Sequence, residues 1–186
     1  SAYFGKPLLV LLGTMKIQLE NYIRDIKDFP KPGIIFKDIT PLLSSPKASK
    51  ACLEQLLNLV GDQKIDKVVG VEARGFFFGN TLAQSLNAGF VPVRKPGKLP
   101  SATISQTYAL EYGTDTLEMH KDAIAVGDRV LIHDDILATG GTAKAVCDMV
   151  ENLGGVIVQC NFLIELDFLQ GAQKINQYPV TSILHY

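Results

Sequence analysis

The sequence has little of what draws a protein to extended charged surfaces. Lysine and arginine total 18 against 19 acidic residues, a formal net charge of -1, so there is no global positive field for nucleic acid and any bound anion must be held by local groups. Cysteine is scarce as well. Cys52, Cys147 and Cys160 are widely spaced, odd in number and set among apolar residues, which fits reduced core thiols of a cytoplasmic protein better than a disulfide framework or a zinc site. No long apolar run occurs near the start. The "LLVLL" within "SAYFGKPLLVLLGT" is far too short to span a bilayer and has neither a basic leader nor a small-residue cleavage site, so no membrane attachment is expected. Residues 1–14 read as an extension or cloning remnant, with Met15 a candidate natural start.

What is present is a core-forming chain. At 186 residues and 47% hydrophobic content it suits one domain, spanning 15–186, and is short for two. "KIQLENYIRDI" has apolar residues at helical spacing, and "FPKPGIIF" then breaks that helix. A helix follows Pro46, "KVVGVE" reads as a buried strand ending at Glu72, and "GFFFGNTLAQSL" as the helix behind it. "GFVPVR" gives another strand, "KPGKLPSATISQTYALEYGTD" a long loop leading into a hairpin, "DRVLIHDD" a strand, "TAKAVCDMVENLGG" its helix and "VIVQCNFLIEL" a further strand. Near-continuous Val/Ile/Leu strands alternating with helices imply an α/β fold whose parallel sheet is covered on both faces. Ligands bind such sheets at the carboxyl ends of strands. Three strands end there in chemistry: Glu72-Ala73-Arg74-Gly75, Arg94-Lys95-Pro96-Gly97-Lys98 and Asp134-Asp135, and these clusters are expected to converge.

"VLIHDDILATGGTAKAV" holds the strongest signal. Gly140 and Gly141 allow a tight turn and close approach of a ligand, Thr139 and Thr142 add hydroxyls, and the N-terminus of the following helix favours a phosphate. The loop lacks the lysine of a nucleoside-triphosphate loop and the spacing of a dinucleotide fingerprint. A plain strand-to-helix turn capped by an aspartate would account for one acid. Two acids at the end of an apolar strand repel unless hydroxyls, a metal or developing positive charge compensates, and a ribose phosphate supplies both a phosphate for the loop and vicinal hydroxyls for the carboxylates.

This stretch resembles the 5-phosphoribosyl 1-pyrophosphate (PRPP) motif of type I phosphoribosyltransferases. "FPKPGIIFKDITPLL", "EARGFFFG", "VPVRKPGKLP" and "LEYGTDTLEMH" resemble the adenine-specific branch of that family, in the same order and from Met15 onward. The resemblance implies a parallel twisted sheet with helices on both faces, a small N-terminal hood and a flexible β-hairpin loop. It implies a homodimeric, Mg²⁺-dependent transferase converting adenine and PRPP to AMP and pyrophosphate. On this resemblance Asp134 and Asp135 would bind the ribose hydroxyls, directly or through water and Mg²⁺, and stabilise an oxocarbenium-like transition state. Ala138, Thr139, Gly140, Gly141 and Thr142 would cradle the 5-phosphate. Glu72, Ala73, Arg74 and Gly75 would form the pyrophosphate loop, with a cis peptide at Glu72-Ala73 and Arg74 among the catalytic groups. Arg94, Lys95 and Lys98 would neutralise pyrophosphate. Glu111, followed by Tyr112, would manage the purine proton from a mobile loop. Phe36 and Leu166 would sandwich the purine and the Ile35 backbone would read its edge, beside Lys37 at a position where arginine is common. His133 and His120 are expected to be packed or exposed bystanders. The runner-up is a transferase for another purine such as xanthine or hypoxanthine; a regulator that keeps the PRPP site only as a sensor would add a DNA-binding module or a basic surface, for which neither the length nor the near-neutral charge leaves room.

Overall fold

A computed structural model describes residues 17–110 and 113–186, so the expectations for residues 1–14, Met15, Glu111 and Tyr112 lie outside the described residues. In chain order the elements are β1 (Arg24–Lys27), β2 (Ile35–Asp38), α1 (Thr40–Ser44), α2 (Pro46–Val60), β3 (Lys67–Val71), α3 (Gly75–Ser85), β4 (Gly89–Val93), β5 (Thr103–Ala109), β6 (Thr114–His120), β7 (Arg129–Leu137), α4 (Gly141–Asn152), β8 (Val156–Glu165) and β9 (Val180–His185). Short 3-10 turns occupy Leu19–Tyr22, Asp167–Leu169 and Gly171–Ile175.

The central sheet is parallel throughout, in the order β4-β3-β7-β8-β9. Its apolar strands have two buried faces because helices cover both. On one face Leu42, Cys52, Leu56, Phe78 and Leu82 from α1, α2 and α3 pack on Val68, Leu131 and Leu163; on the other, Val146, Cys147, Met149 and Val150 of α4 pack on Val69, Val130, Ile132 and Phe162. Helix α2 starts where the sequence signals it: Ser45 Oγ accepts from the Ala48 amide at 3.3 Å and Pro46 opens the first turn. The three cysteines are free and buried, as expected. Among the described residues no helix is long and apolar enough to cross a membrane.

The chain leaves β3 for β4 on one side and returns to β7 on the other, so the strand order reverses between β3 and β7 and opens a crevice at their carboxyl ends. The amino ends of these strands lie on the opposite side. There Asp66 accepts from the Arg129 amide at 2.9 Å, and the turn into β7 is pinned by the Ala125 amide on Asp128 at 2.9 Å, leaving Val126 88% exposed.

Three segments depart from the sequence reading. "KIQLENYIRDI" is not a helix: after the turn Leu19–Tyr22 it forms β1, because Ile26 pairs with Phe36 and Arg24 reaches Asp38 at 2.6 Å, non-local partners that override its helical spacing. The expected long loop is regular from Thr103, where β5 pairs antiparallel with β6 and sends Leu117 and Met119 into the core. β9 was not anticipated, and it extends the sheet beside β8.

His133, in mid-β7, is fully buried and bonds through Nδ1 to Asn161 Oδ1 at 3.0 Å. Asn161 donates to Gln159 Oε1, and Gln159 donates to the Leu59 carbonyl at 2.9 Å, a polar chain that ties the sheet to α2. Burial pushes the His133 ring down to about 4, against the opposing pull of the Asn161 bond and the Asp135 charge. The unfolded chain therefore takes up a proton below about pH 6.5 while the folded state resists until about pH 4. Stability from this group is present above pH 6.5 and is lost on acidification, by about 3 kcal/mol across that window. Thermal melts of the wild type and His133→Gln between pH 7 and 4.5 should show the steeper acid loss in the wild type; parallel curves would assign the loss to other groups.

Candidate active site

The clusters predicted to converge meet, in part, around one cavity of about 350 Å³, lined by Glu72, Ala73, Arg74, Lys95, Asp134, Asp135 and the loop Ala138 to Thr142, together with Ile35, Phe36 and Leu166; Asp134 and Asp135 lie within β7, which runs on to Leu137. That volume falls in the range of small-molecule sites.

The loop after β7 is shaped by two glycines. Gly140 has φ +78°, left-handed, and a Cβ there would lie 2.3 Å from the Gly171 carbonyl oxygen. Gly171 returns the constraint: its own Cβ would sit 2.2 Å from Ala138 O and 2.9 Å from Gly140 N. Backbone thus packs on backbone, and the loop is held with the first turn of α4 facing the cavity, where free amides and the helix dipole favour an anion.

Asp134 and Asp135 stand at the cavity wall. Asp134 Oδ1 accepts from the Asp135 amide at 2.9 Å, and Asp135, with only 4% of its side chain exposed, accepts from Arg74 Nε at 2.5 Å. The Arg74 guanidinium also lies 5.2 Å over the Phe36 ring, linking the carboxylates to the hood. Burial first, and the Asp135 charge second, push the Asp134 carboxyl well above the usual carboxylate range. Arg74 pairs directly with Asp135 and only weakly offsets this rise at Asp134.

The Glu72-Ala73 peptide is cis. Burial alone would raise the Glu72 carboxyl, but Lys98 Nζ at 2.5 Å, the Lys95 amide at 2.9 Å and Arg94 at 3.3 Å outweigh it and hold the group at about 2. Arg94 and Lys98 thus direct their charges at Glu72 and do not line the cavity, while Lys95 lines it and pairs with Asp115. Gly75 opens α3 so close to Asp134 that a Cβ would lie 2.9 Å from Oδ1.

Ile35 and Phe36 of β2, and Leu166 just after β8, all face the cavity. Lys37 does not line it. Its ammonium is taken by Asp25 Oδ1 at 2.7 Å and lies 3.8 Å over the Tyr186 ring.

Residues 38–183 match the model of the phosphoribosyl transferase domain. The chain belongs to the phosphoribosyltransferase family. It is 68% identical over 170 residues to the adenine phosphoribosyltransferase of Flavobacterium johnsoniae, covering 91% of this chain and all of that one. The solved adenine phosphoribosyltransferase of Rhodothermus marinus superimposes with a TM-score of 0.87 at 56% identity, covering 90% of this chain and 96% of that one. The Saccharomyces cerevisiae enzyme, solved with an imino-altritol bisphosphate and adenine, gives 0.83 at 43% identity, covering 88% and 95%.

Two groups in this phosphoribosyltransferase site were not legible beforehand. Gly171 sits in "LQGAQ", and a lone glycine between turns carries no sign that it supports a loop 31 residues earlier in the chain. Tyr108 lines the cavity from β5, where only its alternation in a strand could have marked it.

Proposed function

We infer that the chain transfers the 5-phosphoribosyl group of PRPP to adenine, giving AMP and pyrophosphate in purine salvage. One observation carries this reading: the paired carboxylates Asp134 and Asp135 share a single cavity with the glycine-threonine loop at the start of α4 and with the apolar surfaces of Phe36 and Leu166. The names of close relatives, and the adenine bound in the yeast structure, support the choice of base.

In this reading the amides and hydroxyls of Ala138 to Thr142 hold the 5-phosphate. Asp134 and Asp135 hold the ribose hydroxyls, and their negative charge is oriented before reaction toward the anomeric carbon as positive charge develops there. Arg74, already against Asp135, and Lys95 offer donors to the departing pyrophosphate. Arg94 and Lys98 reach it only by leaving Glu72. Phe36 and Leu166 enclose the purine and the Ile35 backbone reads its edge, while Lys37 acts indirectly by anchoring Tyr186. Adenine N9 displaces pyrophosphate at the anomeric carbon, so orientation and electrostatics supply most of the acceleration. Glu111 manages the N9 proton, with Tyr112 beside it on the loop that excludes water.

The donor set fits Mg²⁺. Two adjacent carboxylates, one with its pKa raised by burial and by its neighbour, are hard oxygen ligands short of positive charge. When bound with PRPP the ion neutralises the pyrophosphate, and Asp134 and Asp135 would hold it directly or through water. Residues 15–186 work as one domain. The protein is a cytoplasmic homodimer in this reading, supported by its buried thiols and by the half-exposed rings of Phe29 and Phe77, apolar surface that a partner would cover.

Incubated with PRPP, Mg²⁺ and adenine, the protein should form AMP and release pyrophosphate, chelation should stop it, and hypoxanthine, guanine and xanthine should react at least about tenfold more slowly. Faster turnover of another purine would reassign the base. Tight PRPP binding with no nucleotide product would make it a sensor.

A further inference from the structure

The β5–β6 hairpin does more than bracket the expected mobile loop: its turn-proximal end is docked on the phosphate loop. A Cβ at Gly141 would lie 3.2 Å from Tyr108 Cδ2 and 3.3 Å from the Ala109 carbonyl oxygen, so the ring of Tyr108 rests against the first residue of α4. Tyr108 and Asp115 are directly opposite across the hairpin. Their polar atoms continue in a chain: Thr142 Oγ1 lies 3.1 Å from Tyr108 Oη, which lies 3.3 Å from Asp115 Oδ2, and that oxygen also pairs with Lys95 Nζ.

Counting protons fixes the direction of this chain. Burial alone would raise Asp115, but Lys95, the Thr116 amide at 2.8 Å and Tyr108 hold it below its ordinary value, so it is ionised and can only accept. The single proton of Tyr108 is therefore directed at Asp115. Thr142 must then direct its own single proton at Tyr108, although it is the hydroxyl of the loop read above as the phosphate cradle.

We propose that Tyr108 is a positioning residue that competes with the 5-phosphate of PRPP for the Thr142 hydroxyl, and that the Thr142–Tyr108–Asp115–Lys95 chain is opened from both ends by that one substrate. This rests on the phosphate-loop reading given above. A phosphate oxygen accepts and does not donate, so binding turns the Thr142 proton away from Tyr108. Pyrophosphate, at the other end, draws Lys95 from Asp115. No bond to substrate is assigned to Tyr108.

Two fragments separate the ends. Ribose 5-phosphate carries the 5-phosphate and the ribose without the leaving group, and inorganic pyrophosphate only the leaving group. Tyr108→Phe keeps the ring on Gly141 and removes the competing oxygen, so calorimetry should show ribose 5-phosphate binding about fivefold tighter, the scale of one ordinary hydrogen bond, with pyrophosphate affinity unchanged. Asp115→Asn removes the anion that holds Lys95, so pyrophosphate should bind tighter in that variant. A purely structural role would weaken both fragments together. Ribose 5-phosphate binding that is unchanged or weaker in Tyr108→Phe overturns the proposal, weaker binding making Tyr108 a phosphate ligand. If Tyr108→Phe does not fold, unchanged or weaker pyrophosphate binding by Asp115→Asn overturns it. Wild-type protein that binds neither fragment and forms no AMP would instead sink the reading of the site.

Discussion

Asp134→Asn is expected to melt about 2–4 °C above the unaltered protein at neutral pH, and to form AMP more than tenfold more slowly. Both effects come from one charge. The Asp134 carboxyl is pushed up by burial and by Asp135, so in the ligand-free fold its ionisation works against folding. Asparagine removes that charge and keeps Oδ1 to accept from the Asp135 amide. The sign of the pH dependence follows from the raised folded value: the acid form favours the fold, its contribution is complete below the unfolded value near 4, and it is lost as pH rises through the folded value. The stability gap between variant and wild type should therefore close on acidification. Comparing the two proteins at each pH cancels the opposite trend of His133. The catalytic loss arises because a preorganised charge facing the ribosyl transition state contributes on the scale of a few kcal/mol. Undiminished turnover would return the pair to a structural role. A lower melting temperature would mean that the charge is compensated in the resting site.

Gly171→Ala should raise the KM for PRPP more than about tenfold while altering the KM for adenine much less, with a stability cost of ~1–3 kcal/mol from overpacking. The added methyl cannot coexist with Ala138 O at 2.2 Å, and Ala138 itself belongs to the loop that lines the cavity. Either the Asp167–Ile175 region or the phosphate loop must yield. Steady-state kinetics with each substrate varied in turn decides between them: a preserved KM for PRPP would show that the turn moves and the loop does not.

The parts of the fold legible in the sequence are those whose signals are local. β3, β7 and β8 are apolar runs bounded by Gly, Asp or Glu, and α2 and α4 carry their own start and stop residues, so reading along the chain suffices. β1 is not legible because Leu19, Tyr22, Ile23 and Ile26 have helical spacing while the deciding contacts, Ile26 with Phe36 and Arg24 with Asp38, come from a later segment. In the site, the convergence of three strand ends followed from the parallel sheet alone. The destinations of individual charges did not. Nothing near Arg94 or Lys98 in the sequence says that they turn to Glu72, or that Lys37 is held by Asp25 and Tyr186, because each partner lies across the fold.

The cavity lies at the carboxyl ends of the parallel strands, and the turn before β7 lies at their amino ends. β7 runs nine residues from the Ala125–Asp128 turn to the phosphate loop, about 30 Å of extended chain. Val126, 88% exposed at that turn, thus lies a full strand length from the phosphate loop that follows Leu137. A flexible tether or fluorescent reporter attached there would sit behind the sheet, so the protein could be fixed to a support with its cavity facing the solution and both substrates free to enter.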